Sequence, residues 1–363
     1  MHEITLAQIA EITGGVVVGV PNITVTAVAT DSRNTAENWL FAAIKGERVD
    51  GHDFAPQAMA NGAVASLVTR AVSGPHVLVP SIDVDVEPVA YALGKIAAHD
   101  RKQFTDINVV AVTGSSGKTS TKDIIRQVLE HSGKTQATAG SKNNELGLPL
   151  TILNSELDVK NLVLEMGMRG LGHISYLCQI ARPTISVITN VGQAHIGEVG
   201  SIDNIAKAKS EILLGLEAGN WAILNHDDPN VFNMRYLTNA QVVTYGLSND
   251  ADVRALNVSA IEDGTYEFDV QVAQQSAHVK LPLLGEHNVL NALAATAVGI
   301  ASGMELPDIA QALGSVVLLS PWRMEKSVLA NGVTVINDAY NANPESMSAA
   351  LRALAGIAES GHS

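Results

Sequence analysis

Cysteine occurs once, at Cys178, which excludes an internal disulfide and a cysteine-based zinc site. Aromatic residues are scarce too, at 4% (Phe 5, Tyr 6, Trp 3). The cores must therefore be built from Ala, Val, Ile and Leu. That suits α/β layers better than a lectin-like sandwich or a base-stacking nucleic-acid binder. Positive charge is in deficit: 23 Lys and Arg stand against 37 Asp and Glu, a formal net charge of −14. This balance disfavours nucleic acid or an anionic membrane as the main partner, and leaves room for one anion in a local basic pocket. No apolar run approaches the roughly 20 residues of a membrane span, so no membrane insertion is expected. The start, Met1-His2-Glu3-Ile4, lacks the basic stretch and apolar run of a signal peptide. The expectation is a soluble, monomeric, cytoplasmic protein; the single thiol is compatible with a reducing compartment.

What is present is aliphatic. Hydrophobic residues make up 46% and charged residues 17% of 363, enough to bury the cores of two or three domains. Residues 1–103 alternate short Val-rich runs with turns. Strands are expected at residues 23–28, 63–68 and 76–79, with a turn at Ser73-Gly74-Pro75 and a closing helix over 88–99. From Ile107 the pattern becomes strand, glycine turn, helix, repeated. Apolar strands are expected at 108–113, 161–165, 184–190 and 221–225, and a helix at 122–131. Uninterrupted apolar strands separated by helices mean a parallel sheet covered on both faces. Residues 252–282 alternate and read as an antiparallel appendage, followed by an Ala-rich helix over 288–303. The third region, residues 319–363, shows one strand (333–336) and one helix (345–358). Such a pair cannot bury its apolar faces alone, so it reads as the start of a domain whose remainder is absent.

Thr113-Gly114-Ser115-Ser116-Gly117-Lys118-Thr119-Ser120 lies between a buried strand and a helix. There its backbone N–H groups and the helix N-terminus form an anion hole, with Lys118 reaching outer phosphates and the Thr119 hydroxyl facing Mg²⁺. Val112 stands where the longer phosphate-loop pattern has glycine, so the match is to Gly-x-x-Gly-Lys-Thr. A surface turn that happens to contain Gly-Lys-Thr is the competing account. Glu165 ends an apolar strand, and a carboxylate there needs a partner such as a Mg²⁺-nucleotide; a capping or salt-bridged glutamate is the alternative. Asn190 ends the next strand, with His195 just beyond. Lys207 and Lys209 read, from the residues alone, as a solvated helix face paired with Glu211. Asp227-Asp228-Pro229 is equally a metal cluster or a turn before a helix. These residues imply a Mg-nucleoside-triphosphatase or phosphotransferase and leave the acceptor open.

Five segments resemble the Mur ligases, the ATP-dependent amide-forming enzymes of peptidoglycan precursor synthesis. They are Thr30-Asp31-Ser32-Arg33, the stretch over residues 41–54, the loop over 113–120, Asn143-Asn144-Glu145-Leu146-Gly147-Leu148-Pro149-Leu150-Thr151, and Asn337-Asp338-Ala339-Tyr340-Asn341-Ala342-Asn343-Pro344-Glu345-Ser346-Met347. The last is similar to the member that adds D-Ala-D-Ala to UDP-MurNAc-tripeptide; the ligase adding the third residue has a Tyr-Ala-His-like segment there. The resemblance implies an N-terminal domain (1–103) holding the UDP precursor, with Ser32, Arg33, Lys45, Arg48, His52, Asn143 and Asn144 as candidates. It implies a P-loop, parallel-sheet ATP-binding domain (104–318) and the start of a Rossmann-like ligase domain (319–363). Gly114, Ser115, Ser116, Gly117, Lys118, Thr119, Ser120, Asn288, Arg323 and Asp338 would bind ATP. Thr119, Glu165, His195 and Lys209 would hold Mg²⁺, with Lys118, His195 and Lys209 catalytic. Lys209 matches the family's lysine carbamylated by CO₂. The family's commoner Pro-Gly-Arg reads Pro321-Trp322-Arg323 here.

The implied reaction passes through an acyl phosphate on the tripeptide carboxylate, which the dipeptide amine attacks. Because the third region is so short, little or no turnover is expected alongside binding of ATP or the UDP precursor. The alternatives are another Mur ligase, a folylpolyglutamate-synthase-like ligase, or a nucleotide-binding module without turnover.

Overall fold

The computed structural model describes residues 1–83, 86–194, 196–261 and 264–359. The chain divides into two compact units: residues 1–107, 142–159 and 179–181, and residues 108–141, 160–178 and 182–363.

The first unit opens with β1 (Ile4–Thr5) and α1 (Leu6–Thr13), whose N-terminus is closed by a reciprocal Thr5–Gln8 capping box. Then come β2 (Val16–Val18), β3 (Thr24–Val25), β4 (Ala27–Ala29), β5 (Trp39–Ala42), α2 (Ala55–Ala60), β6 (Ala63–Val68), β7 (His76–Leu78) and α3 (Pro88–Arg101). The sheet has the order β2-β7-β6-β5-β4, parallel from β4 to β7 with β2 antiparallel at the edge. The single strand expected over residues 23–28 is two. Its first half pairs antiparallel with β1 and its second half parallel with β5, and between them Thr26 N–H donates to Asn38 O (2.9 Å).

The second unit runs β8 (Asn108–Thr113), α4 (Lys118–Glu130) and β9 (Thr135–Ala137). The chain then leaves it for α5 (Gly147–Leu153), which packs on α3 in the first unit. It continues with β10 (Asn161–Glu165), α6 (His173–Ala181), β11 (Ile185–Ile188), α7 (Ile196–Val199), α8 (Ile202–Leu214), β12 (Trp221–Asn225), α9 (Pro229–Asn233) and β13 (Gln241–Gly246). After these come β14 (Val253–Ala260), β15 (Tyr266–Val272), β16 (Gln275–Leu281), α10 (His287–Ala301) and α11 (Leu306–Leu313). One nine-stranded sheet results, β16-β15-β14-β13-β12-β11-β8-β10-β9, parallel from β9 to β14. The supposed appendage at 252–282 is therefore the antiparallel edge of that same sheet.

Alternation along the strands sets the layers. Val110, Val112, Val163, Val187 and Ile223 point to a core shared with α4 and α10. Ser186 points the other way and bonds the Ile212 carbonyl of α8 (3.1 Å). The chain ends in β17 (Glu325–Val328), β18 (Thr334–Asn337) and α12 (Pro344–Glu359). The two strands form an antiparallel hairpin where the sequence shows one, because Glu325-Lys326-Ser327-Val328 carries no apolar alternation to reveal the first. No helix among the described residues is long and apolar enough to cross a membrane.

Candidate active site

The helix expected from Lys122 begins four residues earlier, at Lys118, directly after Gly117 (φ 77°). Lys118 and Thr119 thus sit in the first turn of α4, where N–H groups face an incoming anion. A Cβ on Gly114 would lie 1.8 Å from Thr189 Oγ1, so only glycine fits there. Residues after β11 bracket the loop. Asn190 O accepts the Ser115 N–H (3.0 Å) and Asn190 Oδ1 the Ser116 N–H (2.9 Å), while Asn190 Nδ2 donates to Ser116 O (3.2 Å). Thr189 Oγ1 donates to Ser116 O (2.7 Å), and Asn225, ending β12, donates to Thr189 O (2.8 Å). Thr189 and Asn190 lie beyond the last paired residue of β11, which is why the expected strand over 184–190 stops at Ile188. The chain extends to one side of β8 through β10 and β9 and to the other through β11, so the loop opens at the switch point where parallel sheets bind ligands. Thr189 and Asn225 were not among the expected site residues. Their signal was a polar residue at the C-terminal end of an apolar strand.

The charged groups converge. Thr119 Oγ1 donates to Glu165 Oε2 (2.8 Å) and accepts from Arg323 Nη2 (3.0 Å). The Arg323 guanidinium stacks 4.0 Å from the centre of the Tyr340 ring, whose hydroxyl bonds that of Ser141. Lys118 Nζ donates to Gly114 O (2.7 Å) and Ser115 O (3.2 Å). Burial pulls its ammonium below the ordinary value; Glu165 opposes that shift and Arg323 adds to it. Lys209 is 1% exposed, and burial, reinforced by the Lys118 charge, drives its pKa well down.

The solvated-face account of Lys209 is thus overturned, while Lys207 is exposed as expected. Glu211 does not pair with it either: its carboxylate accepts the Gly172 (2.6 Å) and Ser175 (3.0 Å) N–H groups at the start of α6. The Asp227-Asp228 pair resolves as turn chemistry. Asp228 caps α9 and accepts the Val191 N–H (2.7 Å), and Asp227 accepts those of Leu247 and Ser248. Among the described residues no three His, Cys, Asp or Glu side chains cluster as a metal site. His195 lies outside the described residues.

A cavity of about 560 Å³ adjoins the loop, lined in part by Ser116, Gly117, Ser120, Asn288, Arg323 and Asp338. Asn288 Nδ2 donates to Leu284 O (2.8 Å) and its Oδ1 accepts from Asn291 Nδ2 (2.8 Å); Asn291 Oδ1 in turn accepts from Thr121 of α4 (3.0 Å). The amide of Asn288 is thereby fixed in one orientation toward the cavity. Asn291 is a third residue, after Thr189 and Asn225, that was not among the expected site residues. Asp338 accepts the Met324 N–H (3.1 Å), and burial raises its pKa.

In the first unit the expected residues are less uniform. Arg33 is exposed and tied to Asp31 by two side-chain bonds (2.9 and 2.7 Å), which pull Asp31 down to about 2. Lys45 and Arg48 are exposed. Ser32 is buried and donates to Gln57 (2.8 Å). His52 has no ring nitrogen left for a ligand, which counters its candidacy: Nδ1 meets Asp50 Oδ1 (2.6 Å) and Nε2 accepts the Thr69 N–H (2.9 Å). Asn144 accepts the Gly147 N–H (2.9 Å) at the start of α5, a capping role, and Asn143 beside it is half-buried.

A phosphate-binding loop at a sheet switch point, with its threonine on a buried carboxylate, defines an α/β protein of the P-loop nucleotide-binding class. Residues 112–299 match the Mur ligase middle domain, and residues 24–102 the catalytic domain of the Mur ligase family. The chain belongs to the Mur ligase family. It is 41% identical, over 99% of its length and 74% of the relative's, to UDP-N-acetylmuramoyl-tripeptide–D-alanyl-D-alanine ligase of Mycobacterium tuberculosis (strain ATCC 25618 / H37Rv). The crystal structure of MurF from Acinetobacter baumannii matches with a TM-score of 0.89 at 33% identity, over 98% of this chain and 77% of that one. MurF ligase from Thermotoga maritima in complex with ADP matches at 0.77 and 30%, over 91% and 74%.

Proposed function

We propose that this chain is the ATP-dependent ligase that joins D-alanyl-D-alanine to UDP-MurNAc-tripeptide in peptidoglycan precursor synthesis. The observation that carries the reading is the Thr119 hydroxyl held on the buried Glu165 carboxylate at the mouth of a Gly-Lys-Thr loop, in a chain that aligns over 98–99% of its own length with 74–77% of relatives of that name. We assign residues 1–103 to the UDP precursor, 104–318 to ATP and 319–363 to the start of the ligase's C-terminal domain. The reading requires a compartment that supplies ATP, the cytoplasm.

The donor set suits a hard cation: a hydroxyl and a carboxylate, both oxygen ligands, form the part of the site described here. Thr119, Glu165, His195 and a carbamylated Lys209 would hold Mg²⁺. When bound, Mg²⁺ offsets the repulsion between the γ-phosphate and the attacking carboxylate. Lys209 is suited to carbamylation because burial and Lys118 favour its neutral amine. That amine adds to CO₂, releasing one proton and leaving a carboxylate on the side chain.

The N–H groups of the loop and of the first turn of α4 cradle the phosphates, and Lys118 carries positive charge to the γ-phosphate. The tripeptide carboxylate oxygen attacks the γ-phosphorus and ADP leaves. The dipeptide amine then attacks the acyl carbon, loses a proton and expels phosphate. Asn288 holds the base, with Arg323 and Asp338 on the ribose side.

The test is phosphate release from Mg-ATP with UDP-MurNAc-tripeptide, with and without D-Ala-D-Ala. Dipeptide-dependent release, lowered at least ~100-fold by Lys118→Ala, is the result this reading requires, and it would overturn the expectation of little or no turnover drawn from the short third region. ATP binding that Lys118→Ala abolishes, without such release, would leave a nucleotide-binding module. Neither release nor binding would overturn the site.

A further inference from the structure

The helix that carries the phosphate loop also holds the segment leading from α11 to β17. Thr119, Asp123 and Gln127 lie four residues apart on α4 and share one face. They grip that segment in reverse order. Gln127 Nε2 donates to Val317 O (3.0 Å) while its Oε1 accepts the Val317 N–H (2.8 Å). Asp123 Oδ2 accepts from Ser320 Oγ (2.6 Å), and Thr119 Oγ1 accepts from Arg323 Nη2 (3.0 Å). The outcome is an antiparallel polar zipper from the C-terminal half of the helix up to the phosphate loop.

Apolar burial anchors this segment only at its ends, Val316 and Met324 (1 and 8% exposed), because Val317, Leu318 and Leu319 between them are 58, 42 and 40% exposed. Local backbone preference does not hold it. Trp322 (φ 60°) and Met324 (φ 56°), the two neighbours of Arg323, both lie in the left-handed region that side chains disfavour. Asp123 is itself braced: its Oδ1 meets Lys122 Nζ (2.8 Å), and Lys122 donates to Thr138 O (2.7 Å) and Gly140 O (3.1 Å). The neighbouring Ser141 hydroxyl bonds Tyr340, on which Arg323 stacks. The contacts thus close a ring around Arg323.

We infer that Asp123 and Gln127 are positioning residues: by clasping Ser320 and Val317 to α4 they fix where Arg323 meets Thr119, and so set how tightly the site takes Mg-ATP. This rests on the assignment of Thr119 and Arg323 to the nucleotide site proposed above. Gln127 touches the segment, and Asp123 and Ser320 also line the cavity; the part of their effect that passes through Arg323 is the part an Arg323→Ala background removes.

The experiment uses the full 363-residue chain carrying Gln127→Ala with Ser320→Ala, which opens the clasp and leaves the Lys122–Asp123 pair intact. Hydrogen exchange over residues 317–324 is expected to quicken at least tenfold while β8 stays protected, and the Mg-ATP dissociation constant to rise about tenfold. In an Arg323→Ala background the same pair should change that constant less than twofold, because the route through Arg323 is already cut. A purely structural role would weaken binding by the same factor in both backgrounds. Faster exchange with unchanged affinity, unchanged exchange, or full additivity in the Arg323→Ala background would each overturn the inference and leave the nucleotide site standing. A parent chain that fails to bind Mg-ATP, or that Lys118→Ala does not weaken, would overturn both. Should the double variant not fold, Gln127→Glu removes the Nε2 donor to Val317 O and to Asp123 O, keeps the acceptor for the Val317 N–H, and is read in the same way.

Discussion

His287 shows at the residue scale how the cavity is built from groups that a sequence lists without environment. Its ring packs so close that a Cβ on Gly285 would lie 2.6 Å from Cε1. Burial, and after it the Arg352 charge, pushes its pKa from 6.5 to about 4. The unfolded chain therefore takes up this proton first. Stability is undiminished above about pH 6.5, declines as pH falls toward 4, and levels off below that. Such a shift corresponds to roughly 3 kcal/mol at most, and less for a ring that keeps some solvent contact. We expect the unfolding free energy of the parent chain to drop by about 2 kcal/mol more than that of His287→Gln between pH 7.5 and pH 4.5, measured by denaturant titration. Equal losses would mean that His287 titrates in the fold as it does in water. Lys209 shows the limit of legibility at this scale. In Lys207-Ala208-Lys209-Ser210-Glu211 nothing marks one lysine as buried, and charge patterning pairs it with Glu211. The burial is set by which face of α8 meets the sheet, and Glu211 is spent on the start of α6. Thr119 and Glu165 were legible because a phosphate loop and a carboxylate ending an apolar strand carry their chemistry in their immediate neighbours.

The phosphate loop is shaped less by its own residues than by the ends of the strands beside it. Asn190 satisfies both backbone groups of Ser116, and Thr189 and Asn225 hold the next layer. Asn190→Asp keeps the volume and the acceptor for the Ser116 N–H. It removes the donor to Ser116 O and places a negative charge where phosphates are cradled. We expect Mg-ATP to bind at least tenfold more weakly, with a stability loss of only about 1–2 kcal/mol. Unchanged affinity would show that the loop holds its shape without this bracket. The apolar strands β8, β10, β11 and β12 were plain in sequence, because a strand buried on both faces needs no alternation to be seen. What failed were boundaries set by tertiary contacts. α4 starts at Lys118 because the loop ends in a left-handed glycine, and the run at 23–28 splits because its halves answer to different partners. β17 has no apolar pattern, yet it pairs. At Trp322 the departure from the family's glycine fell on a residue with φ 60°, so the odd letter did mark an odd backbone.

The two compact units are threaded through one another by sequence, and that has a consequence for the whole molecule. The chain leaves the nine-stranded sheet after β9, contributes residues 142–159 to the first unit, and returns as β10. A cut near residue 103, where composition shifts, does not separate the units, since no local signal tells a helix which core it will join. α5 buries Leu148, Ile152 and Leu153 completely. Each is worth roughly 1.5–3 kcal/mol, so together they supply about 5–9 kcal/mol, comparable with the whole stability of a small domain. Just beyond, Asn154 exchanges two hydrogen bonds of 3.0 Å with the backbone of Val28, closing the open edge of the sheet at β4. Residues 1–107 expressed alone should therefore show no cooperative thermal transition by circular dichroism. Joining residues 142–159 to them through a short glycine-serine linker should restore one, and Asn154→Ala in that fusion should lower its stability by about 1–3 kcal/mol. A sigmoidal melt from residues 1–107 alone would show that the first unit does not need α5, and that the excursion serves only to tether the two units.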